Sequence, residues 1–276
     1  MVTRRSIAGM VGAVLAVIGL RPAFAVAGQS AAEDEMLDLG AFPYPLVAVY
    51  GAVVMETVER LRREGRGWPV VIGDDFSAGR VAGALSDAGA PPAEILKAAA
   101  TFRYPEDVKA DRAAERAELL AMLRADPSID PAILDEFEAG PAVGEWPPTF
   151  DGVEALSGYP TMSPGDRIHI ALLPTSDPTE VPAYLRFGGY NSCPPPQAHV
   201  ATLRSLRDRY GAEIVACTFD TIELRVPRRP ATREEALALA RELHAYCNDT
   251  IDQGLETLSN YAAALMVSES WLFWWD

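Results

Sequence analysis

Between Arg167 and Asp276 the apolar pattern switches repeatedly between a period of two and a period of about 3.6, and this switching narrows the folds open to the chain more than any other feature. Arg167 to Leu173, Pro182 to Phe187, Ala212 to Thr218 and Thr221 to Val226 read as strands, the last two forming a hairpin around Phe219-Asp220. Helices are expected over Gln197 to Tyr210, with Leu203, Leu206 and Tyr210 inward, and from Thr232 to Cys247. The second of these opens on a capping box, Thr232 with Glu235, and carries the stripe Ala236, Leu239, Ala240, Leu243 and Cys247. A last helix, Leu255 to Met266, has Asp252 as its expected cap, with Leu258, Ala262 and Leu265 inward. Trp271 to Asp276 is apolar on both alternating faces, which predicts a buried strand and not an edge.

The first half is organised differently. Pro45 to Tyr50 and Trp68 to Ile72 read as strands around a helix, Val53 to Glu64, whose inner face is Val54, Val58 and Leu61. Helical stretches follow at Ser77 to Asp87, Pro92 to Phe102, Pro105 to Leu123 and Asp130 to Phe137. A run rich in glycine and proline from Gly140 to Pro148 marks the best internal boundary. The fold class expected is α+β: a mainly antiparallel sheet with helices packed on it, preceded by a strand-helix-strand unit and a helix-rich segment. The division is 41–148 for an N-terminal α/β and helical region and 149–276 for a C-terminal α+β domain.

The N-terminus has the form of a cleaved export signal. Arg4-Arg5-Ser6-Ile7 precedes an apolar run from Ala8 to Leu20, and Ala23-Phe24-Ala25 supplies a cleavage site, with Ala25-Val26-Ala27 as an alternative. The paired arginines fit the twin-arginine route, which places the protein in the periplasm or outside the cell. Residues 1–25 are thus the signal and 26–40 a flexible lead, with order beginning near Phe42. No later segment is apolar for long enough to keep the chain in a membrane after cleavage. The formal charge is -15, becoming -18 once Arg4, Arg5 and Arg21 are removed. Such acidity disfavours nucleic acid and anionic lipid and suits a basic partner or a cation, as well as simple solubility.

Candidate chemistry gathers on two polar loops. One carries Asn191, Cys193 and, just beyond, His199; the other runs from Tyr246 through Cys247, Asp249, Asp252 and Gln253 to Gly254. In a catalytic reading Cys193 is the nucleophile, His199 its base, and Asp249 or Asp252 orients the histidine, while Asn191, Tyr246, Cys247 and Gln253 bind. The structural readings are a Cys193 to Cys247 disulfide, Cys247 as a small apolar residue on its stripe, His199 as a hydrogen-bonded histidine at the core margin, and Asp252 as a cap. Asp74 and Asp75 follow a strand, and capping by Asp75 or Ser77 explains them. His169 and His244 have no zinc-ligand partner at suitable spacing, so no metal is expected, and no cofactor motif is present.

The stretch from Phe187 to Asp276 resembles the bacterial family known as domain of unknown function 4253. The likeness rests on Gly188-Gly189-Tyr190-Asn191-Ser192-Cys193-Pro194, Tyr210-Gly211-Ala212-Glu213, Thr221-Ile222-Glu223-Leu224, Glu234 to Ala240, Tyr246-Cys247, Asp249, Asp252-Gln253-Gly254 and Trp271 to Asp276. Leu206 and Asn248 depart from it, standing where relatives often carry tryptophan and proline. The family implies no activity. The expectation is therefore an exported module that binds an unidentified protein or small ligand; the alternative is a small hydrolase or thiol enzyme using Cys193 with His199.

Overall fold

Two apolar runs long enough to be buried on both faces set the middle of the sheet. In the computed structural model, which describes residues 42–149 and 163–276, β2 (Trp68–Gly73) and β3 (Arg167–Leu173) are buried along almost their whole length. Val70, Ile72, Ala171 and Leu173 face one side, and Val71, Ile168, Ile170 and Leu172 face the other. Both faces must then be covered. The export signal and flexible lead expected over residues 1–40 lie outside the described residues.

The strand order is β1-β3-β2-β4-β5-β6, with β1 at Leu46–Tyr50, β4 at Glu213–Cys217, β5 at Thr221–Arg225 and β6 at Ser270–Trp274. Every neighbouring pair is antiparallel except β2 and β4, which run parallel. The fold is α+β on a mostly antiparallel sheet, as the alternating periods imply. β2 comes from the first half of the chain yet lies between β3 and β4 of the second, so the two halves share one sheet.

Helix α1 (Val54–Glu64) covers one face with Val54, Val58 and Leu61, against Val71, Ile168, Ile170, Leu172 and Ala216. The other face carries the larger core, built with α2 (Asp75–Ser86), α7 (Pro196–Tyr210), α8 (Arg233–Tyr246) and α9 (Leu258–Val267). Between them in sequence come α3 (Pro92–Ala99), α4 (Glu106–Ala125), α5 (Pro131–Ala139) and a short α6 (Val181–Leu185). Among the described residues no helix is long and apolar enough to cross a membrane.

Four expectations are corrected. Pro182 to Phe187 is not a strand: a 3-10 turn at Pro178–Glu180 runs into α6, because the Asp177 carboxylate accepts from the Thr179 N–H at 2.9 Å and the prolines fit first helical turns. The stretch is buried on every side, at Val181, Pro182, Ala183 and Leu185, so burial alone does not tell strand from helix. Thr232 does cap α8, accepting from the Glu235 N–H at 3.2 Å, but the Glu235 carboxylate reaches the Ala231 N–H instead of closing the box on Thr232.

The last helix begins at Leu258, capped by Thr257, which accepts from the Asn260 N–H at 3.1 Å. Asp252 instead lies in a π-type turn, Thr250–Leu255, which ends at Glu256 in a left-handed conformation. The inward residues Leu258, Ala262 and Leu265 are nonetheless buried. Finally, β6 is an edge strand. Trp271 and Phe273 enter the main core, whereas Leu272 and Trp274 are only half-buried, because the cluster under α1 includes residues of β2, β3 and β4 and none of β6.

Candidate functional site

The loop leading into α7 is shaped by residues that tolerate left-handed backbone: Gly188 at φ 103°, Gly189 at φ 81° and Asn191 at φ 45°. Its amide at Gly189 donates to the carbonyls of Cys193 and Pro194, at 3.2 and 3.0 Å, and the Cys193 N–H donates to Tyr190. The Tyr190 hydroxyl bonds the Phe219 carbonyl on the β4-β5 turn at 2.8 Å. This curl places the Cys193 sulfur 3.4 Å from His199 Nε2, one turn into α7.

His199 is wholly buried among Phe187, Tyr246 and Trp275, with ring centroids 4.9, 5.4 and 5.1 Å away. Its Nδ1 lies 2.7 Å from the Tyr246 hydroxyl, and the ring also donates to the Pro194 carbonyl. The tautomer sets which ring nitrogen donates: with the proton on Nε2, Nδ1 accepts from the Tyr246 hydroxyl, and with it on Nδ1 the direction reverses. Burial pushes the His199 pKa down to about 3 and pushes the Cys193 thiol up, since neither charged form is solvated there. The contact is thus between a neutral thiol and a neutral imidazole. Cys193 is 5% exposed.

The two aspartates do not orient the histidine; Tyr246 holds that position. Asp249, buried and with its pKa raised mainly by burial, accepts from the Asp276 N–H and from Asn248 Nδ2, both at 3.1 Å, and also meets Gln253. Asp252 is exposed and pairs with His244 at 3.2 Å. Asn191 reaches the same terminal strand, donating to the Asp276 carbonyl at 2.8 Å. The two polar loops therefore meet through Asp276. Cys193, His199 and Tyr246 come together, Asn191 and Asp249 both meet the backbone of Asp276, and Asp252 and Gln253 face solvent.

All three cysteines are free thiols. Cys247 sits on the α8 stripe, and its thiol donates to the Trp274 carbonyl at 3.0 Å; burial lifts its pKa to about 12. No disulfide to Cys193 is formed.

Sequence reasoning passed over Arg112. From α4 its Nη2 donates to the Ser192 carbonyl at 2.7 Å and its Nε to the Ala245 carbonyl at 3.2 Å, clipping the first polar loop and the end of α8 to one helix, while Nη1 pairs with Glu115. The one hint in the sequence is that α4 is charged nearly all round and buries only Val108 and Leu123, so that polar contacts must help to hold it. Beside Arg112 opens a cleft of about 260 Å³, with Val108, Pro194 and Ala198 among its apolar lining and Asp111, Glu115 and Glu118 among its acidic residues.

A second pairing joins α2 to the sheet. Asp74, not Asp75 or Ser77, caps α2, accepting from the Ser77 N–H at 2.9 Å. Asp75 is left to meet the buried His169 Nε2 at 2.5 Å. Among the described residues no group of three or more histidine, cysteine, aspartate or glutamate side chains is placed to hold a metal ion.

The buried histidine predicts a pH effect. Its folded pKa, about 3, lies below the unfolded value of about 6.5, so the unfolded chain binds more protons between them and stability falls on acidification through that window. The slope from this group approaches about 1.4 kcal/mol per pH unit. Asp249 acts oppositely: its raised pKa stabilises the fold at low pH, and that contribution is lost as pH rises through its folded value. Urea unfolding of the native chain and of His199→Gln between about pH 6 and 4 checks this, and an unchanged slope in the variant would refute it.

No curated protein and no solved structure matches the chain. A family model does match, over residues 169–276, and it begins earlier than Phe187, so that it takes in most of β3 and all of α6 along with both polar loops and the closing strand. Residues 169–276, the C-terminal part of this chain, thus match the model of the family described as Domain of unknown function (DUF4253).

Proposed function

We propose that the chain is an exported binding module that takes a cationic ligand, a lysine- or arginine-bearing segment of a protein or a small amine, in the cleft beside Arg112. The observation that carries this reading is the clip itself. One guanidinium fixes the Ser192 and Ala245 carbonyls against α4, so the cleft is preformed and need not be ordered when a ligand arrives. Its apolar lining suits a methylene stem, and Asp111, Glu115 and Glu118 suit the charged head. The overall charge of -15 adds long-range attraction for a cation.

Calorimetric titration with a short lysine-rich peptide tests it. Saturable binding is expected, weakened about tenfold or more by Asp111→Lys with Glu118→Lys, and steeply reduced by salt. Absence of saturation, or equal affinity in the variant, would end the proposal.

The Cys193 to His199 contact favours a thiol enzyme as the second reading. The two separate on one measurement. A binding module keeps its affinity in Cys193→Ser and resists iodoacetamide while folded, whereas an enzyme needs a sulfur that reagents can reach.

Export rests on the arginine pair and the apolar run of the first 25 residues. Mature protein recovered from the periplasm should begin at Val26, or at Gly28 if the alternative site is used, and Arg4→Lys with Arg5→Lys should hold it in the cytoplasm.

A further inference from the structure

We propose that a second hollow, at the opening of β2 and independent of the cleft beside Arg112, is an oxyanion site in which Arg62 and Trp68 hold a carboxylate or a phosphate group. Arg62 stands in the last turn of α1 with its guanidinium carbon 4.6 Å from the centroid of the Trp68 ring. Only Nη1 has acid partners, Glu59 and Glu213, each at 3.4 Å, the long end of the hydrogen-bond range. The other edge of the guanidinium, Nε with Nη2, is buried and meets no acceptor among the described residues, and the indole Nε1 of Trp68 is in the same condition.

Unmet donors on a charged side chain are unusual, because a buried polar group without a partner forfeits its hydration. They are more unusual in a chain with 39 acidic residues, where a carboxylate partner would be easy to supply from within. Burial lowers the Arg62 pKa, with Glu213 and Glu59 opposing it, which agrees with a cation short of anionic company.

The hollow beside these donors has a volume of about 480 Å³ and is lined by Arg62, Arg66, Trp68, Pro174, Thr175 and Ser176. Its wall is made of close-running backbone: Gly67 at φ 133° lies so near β3 that a Cβ there would stand 2.4 Å from the Leu173 carbonyl oxygen. Among the described residues two separate ion-pair groups lie around it: Arg62 and Arg225 with Glu59 and Glu213, and Arg60 and Arg66 with Glu64. The group around Arg62 is balanced in charge, and the other, whose Arg66 lines the hollow, has one cation in excess within an acidic protein.

The Nε–Nη2 edge presents two parallel N–H groups whose spacing matches two oxygens of one carboxylate or phosphate. The indole N–H offers a third donor. Turned toward the hollow, the guanidinium would exchange its unmet interior position for that oxyanion while staying over the Trp68 ring. Halide, a single acceptor without two oxygens to match the fork, is held more weakly.

The full chain, labelled with nitrogen-15, is titrated with sodium phosphate and separately with sodium acetate, with chloride at matched ionic strength as control. The Arg62 Nε–H and Trp68 indole signals are expected to shift saturably with one or both oxyanions and not with chloride. Phosphate alone would mark a tetrahedral ligand, acetate alone a carboxylate, and both a shared oxyanion site. Arg62→Lys, which keeps the charge and removes the fork, should weaken binding about tenfold or more. Trp68→Phe, which keeps the stack and removes the indole N–H, should weaken it by a smaller factor and serves as the test if Arg62→Lys does not fold. Unmoved signals, a shift with chloride of the same size, or unchanged affinity in a folded variant would overturn the proposal.

Discussion

Alanine at Gly188 is expected to leave little folded protein under conditions where the native chain is fully folded. A Cβ at this position would lie 2.1 Å from the Pro194 carbonyl oxygen and 2.6 Å from His199 Nε2, both far inside contact distance. Neither neighbour can yield. The Pro194 carbonyl accepts from the Gly189 N–H at 3.0 Å, and the imidazole is wedged among three aromatic rings. The backbone itself, at φ 103°, is one that side-chain-bearing residues rarely adopt.

Steric overlap with fixed backbone and a left-handed conformation act together, so the loss should exceed about 4 kcal/mol, the range reserved for disrupted cores and strained backbone. Gly189→Ala provides the control. Its φ of 81° is also left-handed, but an added Cβ meets nothing within 4 Å, so the cost should be only about 1–2 kcal/mol. Urea unfolding of both variants checks the contrast. Equal losses would mean that the close approach of Gly188 to Pro194 and His199 does not set the loop.

Trp275→Ala is expected to have the next largest effect, about 3–5 kcal/mol from the lost side chain and the cavity it leaves. Trp275 is 1% exposed and touches His199, Tyr246, Phe187 and Phe273, so the cavity would open in the middle of the aromatic cluster. Its indole N–H also bonds the Tyr246 carbonyl at 3.3 Å, which would lose that partner. In a domain of this size the melting temperature should fall by roughly 6–20 °C. A fall of only a degree or two would show that the cluster can close over the gap. Because the same ring borders His199, the variant should also make Cys193 reactive toward iodoacetamide in the folded state, a readout separate from stability.

Elements with a repeated pattern were legible from the residues. The stripes of α1 and α8, the hairpin β4-β5 and the long strand β3 lie where their periods put them, because each repeat marks one face that must leave water. The stretch from Val181 to Leu185 was not legible. It is apolar enough for a strand, and a local hydrogen bond from Thr179 to Asp177 with two prolines decides for helix. Trp271 to Trp274 misleads for a related reason: two apolar faces suggest an interior strand, but position in a sheet depends on which strands pair, and among the described residues only β5 pairs with β6.

The candidate site divides along the same line. Asn191, Cys193, His199 and Tyr246 could be named from polar residues near helix ends; the last three are in contact, while Asn191 bonds the backbone of Asp276. That Tyr246 rather than an aspartate holds His199, and that Arg112 clips one loop and the end of α8 from a helix 80 residues away from Ser192 in sequence, depends on packing.

By itself the order of residues determined which segments could be helix or strand, which side of each turns inward, and the strongly acidic character of the whole, since these follow from spacing and composition along the chain. Only the tertiary structure decided that β2 slips between β3 and β4, that Cys193 and His199 are neutral partners in the core, and that Arg62 and Trp68 keep donors unmatched. The physical reason is that pairing, desolvation and hydrogen-bond satisfaction are properties of neighbours in space, and those neighbours lie far apart in the sequence.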